Sequence, residues 1–478
     1  MPKIKVFTTQ IVSSSEIRSN FAKAMSDMYR FEVPMYGTLV DMVQQINQQE
    51  LDNNPDLLES LEQSDTLNRL SAERHGAIRL GKAEELFTMR RLFAVMGMYP
   101  VSYYDLTEAG IPVHSTAFRP LYLDELNNNP FRVFTSLLRL DLISDKKLRF
   151  LADSLLSRRN IFSNGLIELI EICEHNNGLN SQQAQQFVAE SLQTFRWHHN
   201  ATVNITTYQQ FLNTHRLIAD IVCFKGPHIN HLTPRTLNIE KAQQQMEQFG
   251  LQAKAIIEGP PQRQHPILLR QTSFKALDED IQFKGNSEDT QFGSHTARFG
   301  EIEQRGMALT VKGRKLYDRL LGEVREMTPD AINNIETYYA TLKQIFQQFP
   351  DNLHQIHDNR LGFFIYSVIP LKKVKTSHSL NDLVKNEELQ ITPITYEDFL
   401  PISAAGIFQS NLDERGTQSF ARSPNQQAFE NDLGCKVTSE FEYYSKIQQD
   451  SLLVCVQQLG LDQQQQAELI SQLTKTEH

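Results

Sequence analysis

Residues 74–81 read Arg-His-Gly-Ala-Ile-Arg-Leu-Gly, and the spacing of His75 and Arg79 gives the stretch its chemical interest. Residues four apart on a strand point the same way and lie about 13 Å apart along it, a gap that the long arginine side chain shortens. A metal-ligating imidazole beside a guanidinium fork suits a chelating substrate that carries a carboxylate. The spacing recurs at His231 and Arg235, within His-Ile-Asn-His-Leu-Thr-Pro-Arg at 228–235. Farther on, Glu301, Glu303 and Arg305 alternate with Ile302 and Gln304, so three charges share one strand face. Strands disfavour Glu, and two inward carboxylates are tolerable only if a cation or protons compensate. His75, His231 and one of these glutamates would leave open positions on one side of a metal, the facial set of non-haem Fe(II) chemistry with O2. Zinc hydrolysis with two His and one Glu is the competing use. His228 lies three residues before His231 and would face the other way on a strand, so it reads as a core or supporting histidine. His114, His265, His295 and the pair His198-His199 read as surface, capping or hydrogen-bonded side chains.

The elements that would position these residues form a repeated order. After the His75 strand, a helix at 82–96 carries Leu86, Met89, Phe93 and Met96 on one stripe, and Gly97 is its natural stop. Strand patterns follow at 99–106, 114–121 and 131–142. After the His231 stretch, Asn238 is a good N-cap for a helix at 239–249 with Ile239, Ala242, Met246 and Phe249 on one stripe, closed by Gly250. Strand patterns follow at 252–258, 267–277 and 298–310. Phe118 lies 43 residues after His75 and Phe274 lies 43 after His231, in the settings Ala-Phe-Arg-Pro-Leu and Ser-Phe-Lys-Ala-Leu. A βαβββ duplication accounts for this pattern. The first copy has no acid at the place of Glu301, so one shared site is expected. Between the copies, 147–158, 166–174, 181–194 and 207–222 read as helices of an inserted region.

The fold class expected is therefore α+β. Two βαβββ units (71–142 and 223–312) form a mixed sheet around one metal site. An N-terminal helical segment (1–70), a helical insertion (143–222) and a C-terminal helical cap (313–478) complete it. Within that last segment, 313–327 and 328–349 read as helices and 361–370 as a strand. The small-residue stretch 399–408 suits a loop lining a cavity. Gln463 to Gln466 read as a solvated helix face.

Composition narrows the partners. A net charge of −10 argues against nucleic acid as the main partner. No apolar run approaches the roughly 20 residues of a membrane span. The opening Met-Pro-Lys-Ile-Lys-Val-Phe has no signal-peptide apolar region. Cys173, Cys223, Cys435 and Cys455 show no CxxC spacing, which fits buried reduced thiols in a cytoplasmic protein. GxGxxG, GxxxxGK[ST] and GxSxG patterns are absent, which removes support for dinucleotide, P-loop and nucleophile-elbow readings.

Two resemblances follow from these residues. Phe-Gly-Glu-Ile-Glu-Gln-Arg at 299–305 is similar to the metal-glutamate strand of 4-hydroxyphenylpyruvate dioxygenases, and the paired βαβββ units resemble the vicinal oxygen chelate superfamily. By that similarity Glu301, not Glu303, is the ligand. The second resemblance spans nearly the whole chain. Residues 74–81, 228–235, Leu-Leu-Arg-Gln-Thr-Ser-Phe-Lys-Ala at 268–276 and Pro-Ile-Ser-Ala-Ala-Gly-Ile-Phe at 401–408 resemble the 2-oxoadipate dioxygenase/decarboxylase family, also called 2-hydroxyglutarate synthase. The resemblance implies an Fe(II) enzyme converting 2-oxoadipate and O2 to D-2-hydroxyglutarate and CO2 in lysine breakdown. It implies that His75, His231 and Glu301 hold the iron, that Arg79 grips a substrate carboxylate, and that Ile402 and Ser403 contact the substrate. The alternatives are another metal-dependent enzyme on the same scaffold (an isomerase or extradiol-type dioxygenase) or a non-catalytic metabolite-binding relative.

Overall fold

In the computed structural model, residues 10–63, 66–285, 291–369, 379–400, 424–461 and 463–474 are described. Ile402 and Ser403 lie outside them. The chain forms two compact units. The first comprises Met1–Lys254, Ser273–Ile302 and Ala404–Val437; the second comprises Ala255–Thr272, Glu303–Ser403 and Thr438–His478.

The first unit is built on a five-stranded mixed sheet. Its strands are β1 (Arg74–Leu80), β2 (Tyr99–Asp105), β3 (Val113–Arg119), β4 (Arg132–Leu138) and β5 (Leu232–Pro234), in the order β2-β3-β4-β1-β5. The helix Ala83–Val95 follows β1, and a short helix, Leu123–Asn128, stands between β3 and β4, so the order is βαββαβ and not the βαβββ expected. β1 runs parallel to β4, with His75 opposite Arg132, and antiparallel to β5, with His75 opposite Thr233. Every residue of β1, β3 and β4 is buried, so both faces of the sheet centre are covered.

The two faces differ in chemistry. Ile78, Leu80, Val133, Leu137 and Phe118 line one, and the helix Ala83–Val95 lays Phe93 on it, 4.8 Å ring to ring from Phe118. Gly97 ends that helix at φ +66°, a left-handed turn that favours glycine. His75, Arg79, Arg132, Ser115 and Ser136 line the other face, where the Ser115 and Ser136 hydroxyls are 2.8 Å apart. A buried polar face of this kind demands partners for each group.

Helices Ser14–Glu32 and Pro34–Asn53 open the unit. The first is tied down by the fully buried Arg18, which donates to the carbonyls of Met96 (2.8 Å), Asn129 (2.9 Å) and Glu125 (2.9 Å). The region between β4 and β5 is helical, with side-chain caps from Asp145, Ser163, Asn180 and Asn204. The single helix expected at 207–222 is two helices, Ile205–Thr214 and Arg216–Val222. His215 is extended there (φ −166°, ψ 135°), and its Nδ1 accepts the Leu217 N–H at 3.1 Å, capping the second helix and breaking the first.

The second half departs further from expectation. Residues 252–258 form only isolated bridges, Ala253 to Phe274 and Glu258 to Gln271. Lys254 donates to Ser273 and Glu258 to Gln271, so four steps along one segment match two along the other, and a regular ladder cannot form. The strand expected at 267–277 ends at Ser273 as β6 (Leu269–Ser273). A hairpin follows, β7 (Leu277–Phe283) with β8 (Gln291–Arg298), before β9 (Glu301–Arg305) pairs with β6.

In the second unit, helices Val311–Met327, Ile335–Ile345 and Glu440–Gln458 accompany an antiparallel pair, Phe364–Val368 with Leu389–Pro393. Leu320, Val324, Leu342, Phe346, Phe364, Leu383 and Leu452 belong to its core. The helix expected from 328 starts only at Ile335, because Pro329 disfavours helical backbone at Thr328. No helix among the described residues is long and apolar enough to cross a membrane.

Gly76 is a point of close approach between β1 and β5. A Cβ there would lie 2.6 Å from Ile229 Cδ1 and 3.0 Å from the His231 carbonyl oxygen. Gly76→Ala should therefore cost about 1–3 kcal/mol by overpacking and lower the thermal midpoint. An unchanged melting curve would show that β5 yields freely.

Candidate metal centre

Three segments far apart in sequence converge at the polar end of β1. His75 comes from β1, His231 from the residue before β5, and Glu301 from the start of β9. Their ligand atoms all lie within 4.8 Å of one another, and the side chains are almost completely buried. Both imidazoles turn Nε2 to one carboxylate oxygen, Glu301 Oε2, at 3.1 Å from His75 and 3.7 Å from His231. The rings meet nearly perpendicularly, 87° apart with centroids at 5.5 Å, and His231 stacks on Phe299 at 4.8 Å.

Neighbouring groups hold the three donors in place. Thr233 Oγ1 donates to Glu301 Oε2 at 2.9 Å. The Tyr29 hydroxyl donates to the carbonyls of Asn230 (2.8 Å) and Phe299 (2.9 Å), and Phe299 N donates to Asn230 O at 3.2 Å. One phenol thus ties the His231 segment to the Glu301 segment. Burial pushes the Tyr29 phenol up from its usual value, so it stays a donor. Nothing at the sequence level pointed to Tyr29, which sits within an ordinary amphipathic helix.

The donor chemistry fits a divalent metal. Two imidazoles and one carboxylate, buried together with their donor atoms converging, supply a mixed N/O set of the kind that binds first-row metals on one side. Thr233 provides the supporting contact that such ligands ordinarily require.

The other residues singled out from sequence fall in separate places. Glu303 is gripped through both oxygens by Arg305, Nε at 2.8 Å and Nη2 at 2.9 Å, and Arg305 Nη1 donates to the carbonyls of Tyr396 and Asp398. His114 is buried beside Tyr103 and Phe429, and burial together with the nearby Arg139 pushes it down to about 4. His265 offers its backbone N–H to Asp351. His199 receives the Trp197 indole N–H at 3.2 Å. His228 and His295 both approach Asp220 Oδ1, at 3.3 and 2.9 Å.

The two arginines that looked equivalent have different partners. Arg79 Nη1 lies 2.5 Å from Asp220 Oδ2. Arg235 Nη1 lies 3.1 Å from Glu73 Oε2, while Glu73 Oε1 also pairs with Arg132 (2.7 Å) and Arg69 (3.3 Å). Asp220 and Glu73 were missed in the sequence because each is a lone acid at the edge of a helix or strand pattern, with no spacing relation to its partner.

The fold and the converging donors define a mixed α+β protein with a preformed two-histidine, one-carboxylate site. The sequence model of the 2-oxoadipate dioxygenase/decarboxylase family matches residues 21–411. The 2-oxoadipate dioxygenase/decarboxylase of Pseudomonas putida is 50% identical over 457 residues, covering 94% of this chain and 98% of that protein. The Escherichia coli protein of the same name is 51% identical over 450 residues, covering 93% and 98%. The crystal structure of the Pseudomonas putida hydroxyglutarate synthase in complex with 2-oxoadipate superposes with a TM-score of 0.86 at 49% identity, covering 94% of this chain and 99% of that one. The chain belongs to the 2-oxoadipate dioxygenase/decarboxylase family, and it is an enzyme.

Two substitutions test the support around the donors. Thr233→Val keeps the shape and removes the hydrogen bond to Glu301, and should weaken metal affinity about ten- to a hundredfold. Tyr29→Phe removes the phenol's contacts to both carbonyls, leaving Asn230 O only its bond from Phe299 N–H, and should cost about 1–3 kcal/mol of stability. Chelator competition and denaturant unfolding read the two effects; wild-type values for both variants would mean that neither contact supports the site.

Proposed function

We propose that this chain holds Fe(II) through His75, His231 and Glu301 and converts 2-oxoadipate and O2 to D-2-hydroxyglutarate and CO2. The observation that carries the reading is the buried convergence of those three donors within 4.8 Å. Family membership and a relative crystallised with 2-oxoadipate support the substrate. When bound, Fe(II) supplies O2 activation and a chelation point for the keto oxygen and C1 carboxylate of a 2-oxo acid.

The protein's own contribution is position and environment. Thr233, Phe299 and the Tyr29 link hold the three donors, and the positions on the metal that these donors do not fill would take substrate and O2. Burial keeps water from the reacting atoms, where electrostatic interactions are stronger than in solvent. Arg79 stands on the same face of β1 as His75, two strand pleats away, and its fork takes the distal carboxylate of the dicarboxylic acid. Ile402 and Ser403 are read as further substrate contacts by their likeness to the family motif.

The same reading extends to the architecture. The antiparallel pairing of β5 with β1 supports 71–142 and 223–312 as two vicinal-oxygen-chelate halves sharing one metal site, with 1–70, 143–222 and 313–478 as additions. Only the second half contributes the acid. Four unpaired cysteines, Cys173, Cys223, Cys435 and Cys455, support a reducing, cytoplasmic setting for this step of lysine breakdown.

Anaerobic reconstitution with Fe(II), then exposure to O2 with 2-oxoadipate, should give coupled O2 uptake, CO2 release and 2-hydroxyglutarate, and the zinc-loaded protein should give none. Absence of O2 uptake by the Fe(II) form would sink the proposal. Arg79→Lys replaces a planar fork by a point charge and should lower kcat/KM for 2-oxoadipate by about tenfold or more. Wild-type kcat/KM in that variant would remove Arg79 from the substrate site.

A further inference from the structure

The helical region between the two halves delivers one side chain to Arg79. Asp220, on the helix Arg216–Val222, is 5% exposed, and its two oxygens have separate tasks. Oδ2 lies 2.5 Å from Arg79 Nη1. Oδ1 lies 2.9 Å from His295 Nε2 on β8 and 3.3 Å from His228 Nε2. His295 Nδ1 is in turn 2.8 Å from the Tyr208 hydroxyl, on the preceding helix. Trp197 packs edge-on against His228 at 4.5 Å and lies parallel to His295 at 6.3 Å. Burial works against the Asp220 carboxylate, but His228, Arg79 and the imidazole hydrogen bonds outweigh it and hold this carboxyl well below the usual carboxylate range.

An arginine side chain has many rotamers and its guanidinium is planar, so fixing one N–H contact restricts the direction of the whole fork. The Asp220 contact is short and charge-assisted, the kind that fixes an edge. Asp220 is itself held from behind by His295, and His295 by Tyr208, so the anchor is rigid and not a swinging counter-ion. We propose that Asp220 is a positioning residue for Arg79, setting the plane of its fork toward the distal carboxylate and thereby the preference for dicarboxylic over monocarboxylic 2-oxo acids. The inference rests on the reading of Arg79 as the carboxylate-binding residue. It also gives the helical insertion and the β7–β8 hairpin a common task, since Asp220 and Tyr208 come from one and His295 from the other.

The test compares 2-oxoadipate with 2-oxohexanoate, which has the same chain length and no distal carboxylate, on Fe(II)-reconstituted full-length protein. Asp220→Glu keeps the charge and moves the carboxylate by one methylene. It should reduce the dicarboxylate preference about tenfold or more, through KM for 2-oxoadipate, with kcat and metal content close to wild type. A wild-type preference in Asp220→Glu would overturn the inference, because a group that only balances charge tolerates the added methylene. If that variant does not fold, Tyr208→Phe, which releases His295 from behind and leaves every charge in place, decides in the same way: reduced preference supports positioning and wild-type preference overturns it. Arg79→Ala separates the two levels. Preference surviving in Arg79→Ala defeats the underlying reading of Arg79, whereas preference lost in Arg79→Ala but kept in Asp220→Glu defeats only the positioning role.

Discussion

Burying the Glu301 carboxylate against two imidazoles is the constraint around which the first unit is arranged. A lone ionised carboxylate in a protein interior carries an effective penalty on the order of several kcal/mol. Here Oε2 meets His75 Nε2, His231 Nε2 and the Thr233 hydroxyl, and the backbone that carries them is joined by Tyr29. Each of these contacts joins segments more than sixty residues apart. The local structure of any one segment therefore cannot hold the site; the β1–β5 pairing and the Tyr29 link must form as well.

β1 concentrates charge in an unusual way for a central strand. Glu73 precedes it, and His75 and Arg79 point from one face, each into a different buried ionic group. On one side Glu73 meets Arg69, Arg132 and Arg235; on the other, Arg79 meets Asp220. Buried ion pairs are weak evidence of net stabilisation, because desolvation offsets most of the Coulomb gain. Their effect here is geometric. Fixing the residues on both sides of His75 leaves its imidazole little freedom in direction, which suits a metal ligand.

What the sequence made legible was whatever repeated or alternated. The four-residue spacing of His75 with Arg79 and of His231 with Arg235 located both histidines, and the alternation of Glu301, Glu303 and Arg305 located the acidic strand. The stripe of Leu86, Met89 and Phe93 marked the first helix to within a residue or two at each end. Features without periodicity were missed. The break at His215 depends on a side chain capping the following helix, and the β7–β8 hairpin is formed by strands as polar as a loop. Asp220 has no signature at all: its meaning lies in which side chain it faces across 141 residues of chain.

Two similar sequence patterns meet different partners in the fold. His75 and His231 both turn Nε2 to Glu301, yet the arginines four residues on have different partners. Arg235 turns to Glu73, which also accepts from Arg69 and Arg132, and so becomes part of the scaffold. Arg79 turns to Asp220, a residue from outside either half, whose other oxygen is taken by imidazole. A fork committed to a carboxylate shared among three arginines belongs to the scaffold, whereas the short charge-assisted Asp220 contact gives the Arg79 fork a defined direction. Under the proposed function, the different partners of the two arginines would give one site a metal end and a carboxylate end, as an unsymmetrical 2-oxo dicarboxylic acid requires.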